Sequence, residues 1–152
     1  MLLIAGILPL LLGCERPIPA AGIQPTIIDG RRFLLELALD ESSQKRGLGG
    51  RDHIEPNGGM LFIFERSEER RLWMRRCLVP IDVIFLDDGG RVVAMHAMHP
   101  EPGVPDEQLR KYSSVWPARY AIELAGGTLR RLNLTNGQKI DLPAATLKQP
   151  VR

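Results

Sequence analysis

Apolar residues recur at every second position across residues 32–39, where Phe33, Leu35, Leu37 and Leu39 share one face and Glu36 lies opposite. A period of two predicts a strand. Asp29-Gly30 predicts a tight turn joining it to a short run at 26–28. Residues 81–86 are apolar on both faces apart from Asp82, which is the pattern of a strand in the middle of a sheet. Asp87-Asp88-Gly89-Gly90 then turns the chain onto a strand at 91–97. Shorter strands are predicted at 60–64, 72–74, 119–124 and, after Asn136-Gly137, at 138–142. The charged residues 65–69 read as a turn, and the proline-rich stretch 100–117 reads as a long loop. Two short helices fit, one at 41–48 with Asp40 as N-cap and one at 128–132. About seven short strands and two short helices predict a mainly β, α+β domain, closed or nearly closed like a small barrel.

The first residues follow a different rule. Residues 1–13 are apolar but too short to span a bilayer, which needs about 20 such residues. They have the length of a secretory leader. Leu11-Leu12-Gly13-Cys14 resembles a lipobox, in which the thiol is lipidated and the chain is cut before it. No Lys or Arg precedes the apolar run, so the terminal amine supplies the leader's charge or the true start lies upstream. The expectation is a lipoprotein of the cell envelope facing the periplasm or exterior, with a leader at 1–13 and a tether at 14–25. The domain then occupies 26–142 and a frayed tail 143–152. With Cys14 consumed by lipid, Cys77 has no intramolecular partner and no disulfide framework exists.

Length and charge narrow the field further. A chain of 152 residues accommodates one domain with appendages. A net charge of +2, with acids and bases interleaved, gives no footprint for nucleic acid. The expected partners are the membrane, through lipid on Cys14, and a small molecule or envelope component. No cofactor is called for.

Several blocks carry a family resemblance. Arg46-Gly47-Leu48, then Gly59-Met60-Leu61-Phe62 with Phe64, then Trp73-Met74 are three of them. Pro80-Ile81-Asp82 and Tyr120 with Glu123, Leu124 and Gly127 complete the set. Over roughly 34–142 the chain resembles the family known as domain of unknown function 192. The resemblance implies the fold and carries no activity. Arg76, Cys77 and Gly49 stand where the family usually has Asn, Thr and Met.

Candidate chemistry centres on Asp82, since a carboxylate heading an apolar strand must be paired or hydrogen-bonded. Arg46, Arg51 or Arg75 would serve, Arg being suited to bidentate pairing. Either a fixed structural pair or a ligand-binding Asp82 is consistent with this. Glu123, on the face of Ala121, reads as an exposed edge residue. A hydrolase acting on envelope material would need Asp82 and Glu123 about 5–10 Å apart in one cleft. Trp73, Met74, Met60 and Phe62 form an aromatic–thioether set, read either as core or as the wall of a ligand groove. That groove would be bordered by Trp73, Met74, Asp82 and the 100–117 loop. His96, Met98 and His99 are weak copper candidates by ligand softness, although alternation separates His99 from the other two. Cys77 follows Arg75-Arg76, whose charge would lower a thiol pKa, yet a packed thiol is the simpler reading.

Overall fold

The computed structural model describes residues 22–144. The leader, Cys14, most of the tether and most of the tail lie outside them. Six strands make one sheet: β1 (Ile23–Ile28), β2 (Arg31–Ala38), β3 (Gly58–Leu72), β4 (Ile81–Leu86), β5 (Val92–Met98) and β6 (Tyr112–Ala125). Their spatial order is β1-β2-β3-β6-β4-β5. Only β2 and β3 run parallel, and every other neighbouring pair is antiparallel. Parallel neighbours cannot be joined by a hairpin. The chain therefore crosses over from β2 to β3 through α1 (Glu41–Arg46) and an irregular segment. Asp40 caps α1 as expected, accepting the Ser43 N–H at 2.9 Å in a reciprocal capping box.

Side chains alternate between the two faces of the sheet. One face buries Met60, Phe62, Val83, Phe85 and Ala121 under Leu48, Ile54 and Met74. The other buries Leu61, Ile63, Ile84, Ile122 and Leu124 under Leu132 and Ile140. Phe33 and Leu35 belong to this second face, and Leu37 and Leu39 pack against it, as their period of two requires. Strand β4 is buried at all six positions, which is why it reads as a central strand.

The sheet is open, correcting the expected barrel. β1 and β5 are its two edges and do not pair with each other. Counting alternating strands cannot reveal whether the first meets the last. Pro25 sits on the β1 edge, where a missing N–H costs nothing. Residues 23–25, assigned to the tether from sequence, are part of this strand. At the other edge the expected closing strand is reduced to one bridge, Arg91 with Lys139.

Two further corrections concern lengths. β3 continues through the charged residues 65–72, and β6 starts at Tyr112 rather than near 119. These extensions pair with each other, with register shifts between Ile63 and Glu68 and between Glu69 and Arg71. Pro117 lies next to the second shift, opposite Glu69, a position that tolerates proline. The expected strand at 72–74 is the end of β3 followed by loop. The second helix shrinks to a single 3-10 turn, Leu129–Arg131.

Gly59 shows how tightly β3 is held. A Cβ there would lie 2.4 Å from the Glu123 carbonyl oxygen and 2.9 Å from Leu35 and Leu124 side-chain carbons. Backbone on one side and packed leucines on the other leave no room to yield. Gly59→Ala should therefore destabilise the domain by about 3 kcal/mol, read from the urea midpoint. An unchanged midpoint would contradict this packing.

Candidate functional site

The crossover after β2 does more than connect strands. Gly47 adopts φ 52, and a Cβ there would approach Glu123 Oε2 to 2.9 Å and the Phe62 ring to 3.3 Å. Glycine lets the crossover settle directly onto β6. Glu123, on the face of Met60 and Val83, then accepts the Leu48 backbone N–H at 3.0 Å. Beside this bond lies a hollow of about 160 Å³. Glu123 and Leu48 form its floor, and Leu72, Trp73 and Cys77 contribute wall. Arg46, Lys45, Arg71 and Arg75 bring positive charge to it.

Glu123 is 6% exposed, so the expected edge residue is a buried one. It lies in β6, with β3 and β4 hydrogen-bonded on either side, and has no route to bulk solvent along the sheet. Burial pushes its carboxyl up to about 7, against the weaker opposing pull of the Leu48 N–H and of Arg51. Only Oε2 is hydrogen-bonded to protein. No buried side-chain oxygen or nitrogen lacks a partner among the described residues, so Oε1 opens into the hollow. Near neutral pH this group both donates and accepts hydrogen bonds. The Cys77 thiol is pushed up to about 11, first by burial and then by the negative charge of Glu123. It is a packed thiol on the hollow's wall, not a nucleophile.

Trp73 is 39% exposed. Lys111, which does not line the hollow, lies with its Nζ 4.1 Å from the indole centroid. Asp106 pairs with Arg75 Nε at 2.5 Å. Both partners come from the stretch 100–117, which buttresses the hollow from outside and, against the expectation, contributes no residue to its lining.

The other candidates fall elsewhere. Met60, Phe62 and Met74 are each at most 2% exposed and pack in the core below Glu123. Asp82 is on the opposite face of the sheet: it pairs with Leu124, whereas its neighbour Val83 pairs with Glu123. Asp82 Oδ2 accepts the Leu129 N–H at 2.7 Å and fixes the 3-10 turn. Its partner is therefore a backbone amide rather than an arginine. Arg51 instead grips Glu36 in a bidentate pair of 2.6 and 2.8 Å. A cleft holding both Asp82 and Glu123 does not exist, since the sheet separates them. His96 Nε2 lies 2.7 Å from the Ser113 carbonyl oxygen, Met98 is core, and His99 is exposed one residue beyond β5. These three do not form a ligand set.

Of the ligand-pocket candidates Arg46, Met60, Phe62, Trp73, Met74, Asp82 and Glu123, the structure places Arg46, Trp73 and Glu123 around the hollow. Gly47, Leu48 and Arg71 join them, none of which was singled out as a site residue, and so does Cys77, which was read as a packed thiol. The glycine run 47-49-50 was the available signal for a close backbone approach.

Fold and hollow define a small α+β protein built on an open mixed sheet, with one buried carboxyl under a half-covered tryptophan. The chain belongs to the family DUF192, described as "Uncharacterized ACR", which matches residues 25–142. No curated protein matches it. Among solved structures it is similar to a "putative transcription regulator" from Sinorhizobium meliloti 1021, with 30% identity over 79% of this chain and 91% of that one, at a TM-score of 0.64. A protein of unknown function from Novosphingobium aromaticivorans DSM 12444 shares the fold at 24% identity and a TM-score of 0.62, over 78% of this chain and 83% of that one.

The raised carboxyl has a measurable consequence. Glu123 holds its proton to about pH 7 in the folded chain, against an ordinary value of 4.5. The resulting stability is complete below pH 4.5 and is lost as pH rises through 7. The loss should reach about 3 kcal/mol by pH 8. Urea midpoints should fall from pH 5 to pH 8, and Glu123→Gln should remove most of that slope. Equal slopes in both proteins would show that Glu123 is not the group responsible.

Proposed function

We propose that this chain is an envelope lipoprotein, anchored by lipid on Cys14, whose domain binds a small molecule in the hollow over Glu123. One observation carries the binding reading: a buried carboxyl has one oxygen without a protein partner, and that oxygen faces a hollow walled by Trp73. A polar atom at the bottom of a mostly apolar concavity is what fixes a ligand's orientation. The anchor reading rests on the apolar run 1–13 ending in Leu-Leu-Gly-Cys. The role is binding rather than catalysis. Among the described residues, the one other carboxyl that lines the hollow is Glu41, which is held by Lys45 at 2.5 Å. The name of the Sinorhizobium relative would suggest DNA binding. Among the described residues, however, the longest helix has six residues, too short to serve as a recognition helix.

Two experiments test the two halves. In cells fed an alkynyl fatty acid, the chain should acquire the label and sediment with membranes, and Cys14→Ser should lose both. An unlabelled wild-type chain ends the anchor reading. For the hollow, a thermal-shift screen of the protein against sugars, peptidoglycan fragments and metal salts should yield a stabilising compound. A ligand at a hundred times its Kd adds about 2.7 kcal/mol. Trp73→Ala and Glu123→Gln should each abolish that gain. A hit indifferent to both substitutions, or no hit at all, removes the binding reading.

A further inference from the structure

The hollow over Glu123 opens beside a second one of about 390 Å³, with which it shares Lys45, Arg46, Gly49 and Arg75. The second hollow adds Arg76 and, among the described residues, is lined by no acidic side chain. The charges around the pair do not balance. Lys45 is held by Glu41 at 2.5 Å, Arg71 by Glu69 at 3.0 Å and Arg75 by Asp106 at 2.5 Å. Arg46 and Arg76 have no ion-pair or hydrogen-bond partner for their guanidinium groups among the described residues, and Arg46 feels only the more distant charges of Glu36 and Asp40. Arg76 is also fixed in position. Its backbone is left-handed at φ 54, and its carbonyl accepts the Gly50 N–H at 2.8 Å, locking its loop to the crossover. A non-glycine residue held there costs of order 1 kcal/mol or more, so packing determines the geometry rather than preference.

The inner hollow is about the size that accommodates one six-membered ring, since a cavity of roughly 150 Å³ holds benzene. Benzene itself would leave Glu123 Oε1 without a partner at the bottom. A ring bearing hydroxyl groups satisfies that oxygen in either protonation state, because a hydroxyl both donates and accepts. Such a ring also presents C–H faces to the indole of Trp73. The outer hollow offers two unpaired guanidinium groups, whose planar forks match a carboxylate or phosphate.

We infer that the ligand is a pyranose-sized sugar bearing an acidic group, seated with a hydroxyl on Glu123, its ring against Trp73 and its acid between Arg46 and Arg76. The inference rests on the reading of the hollow as a binding site and adds the ligand's chemical class. Carboxylate and phosphate share the chemistry that the arginines recognise.

The full-length chain in detergent, carrying Trp116→Phe, leaves Trp73 as its sole indole. Trp116 is exposed and does not line either hollow. Titration with D-glucuronate or D-glucose 6-phosphate should shift the Trp73 emission saturably, and the tighter of the two identifies the acid. D-Glucose should bind at least tenfold more weakly than the tighter acid, and acetate should give no shift. Arg46→Ala with Arg76→Ala should weaken the acidic sugar at least tenfold more than it weakens glucose. Glucose binding as tightly as the acids, an acetate response matching theirs, or indifference to the double substitution would overturn the inference. Silence to every sugar here, alongside a thermal-shift hit of another class that needs Trp73 and Glu123, refutes the acidic-sugar assignment alone. Silence in both refutes the binding site with it.

Discussion

A carboxyl buried in the body of a sheet needs a donor that the sheet cannot supply, because the strand amides are committed to their neighbours. In this domain the donor is Leu48 N–H, delivered by a crossover lying flat on β6. The approach works because residue 47 is glycine, whose missing Cβ leaves the Glu123 oxygens their space. That one bond couples the centre of the sheet to a connection made necessary by the parallel pairing of β2 with β3. The hollow is what remains where the crossover, the end of β3 and the loop after it fail to meet above Glu123. Losing the bond would leave a desolvated acid without support and release the crossover that walls the site.

Desolvation and polarity are in tension across this region. Burial drives Glu123 toward its neutral form, while Arg51 and the Leu48 amide favour its charged form. Burial wins, and the carboxyl sits near the midpoint of its titration at neutral pH. Arg51 could have shifted the balance further, but Glu36 occupies both arms of its guanidinium. The Glu36–Arg51 pair is thus not merely a surface clasp, where an ion pair is worth little. It fixes Arg51 in place, and the charge of that guanidinium still pulls the Glu123 carboxyl down against burial.

Much of the architecture was legible because burial leaves a periodic trace. The alternation at 33–39 and the apolar run of β4, broken only by Asp82, both led to the right elements and faces. The two long arms of β3 and β6 left no such trace: Glu65 to Arg71 carries charge on nearly every residue, since the arm is exposed along much of its length. Prolines at 100–117 spoke for loop, and Pro117 was accommodated beside a register shift instead. The site was half legible. Alternation set Glu123 with Ala121, and composition picked out Trp73 and Arg46. Which face of the sheet would carry the hollow was not encoded in any local pattern, and so Asp82 looked like the acid beside it when Glu123 is the one that lines it. That choice was made by the crossover, a contact between residues 75 positions apart.

The strand order has a bearing on how this protein is made. β1, β2 and β3 can assemble as one unit and β4 with β5 as a hairpin, but neither has a complete edge until β6 slots between β3 and β4. The joining strand is the last to leave the ribosome, ending at residue 125. Until then the chain can form at most two half-sheets with open seams. The keystone thus arrives after every other strand, and a chain stopped before residue 112 has nothing to join its two halves.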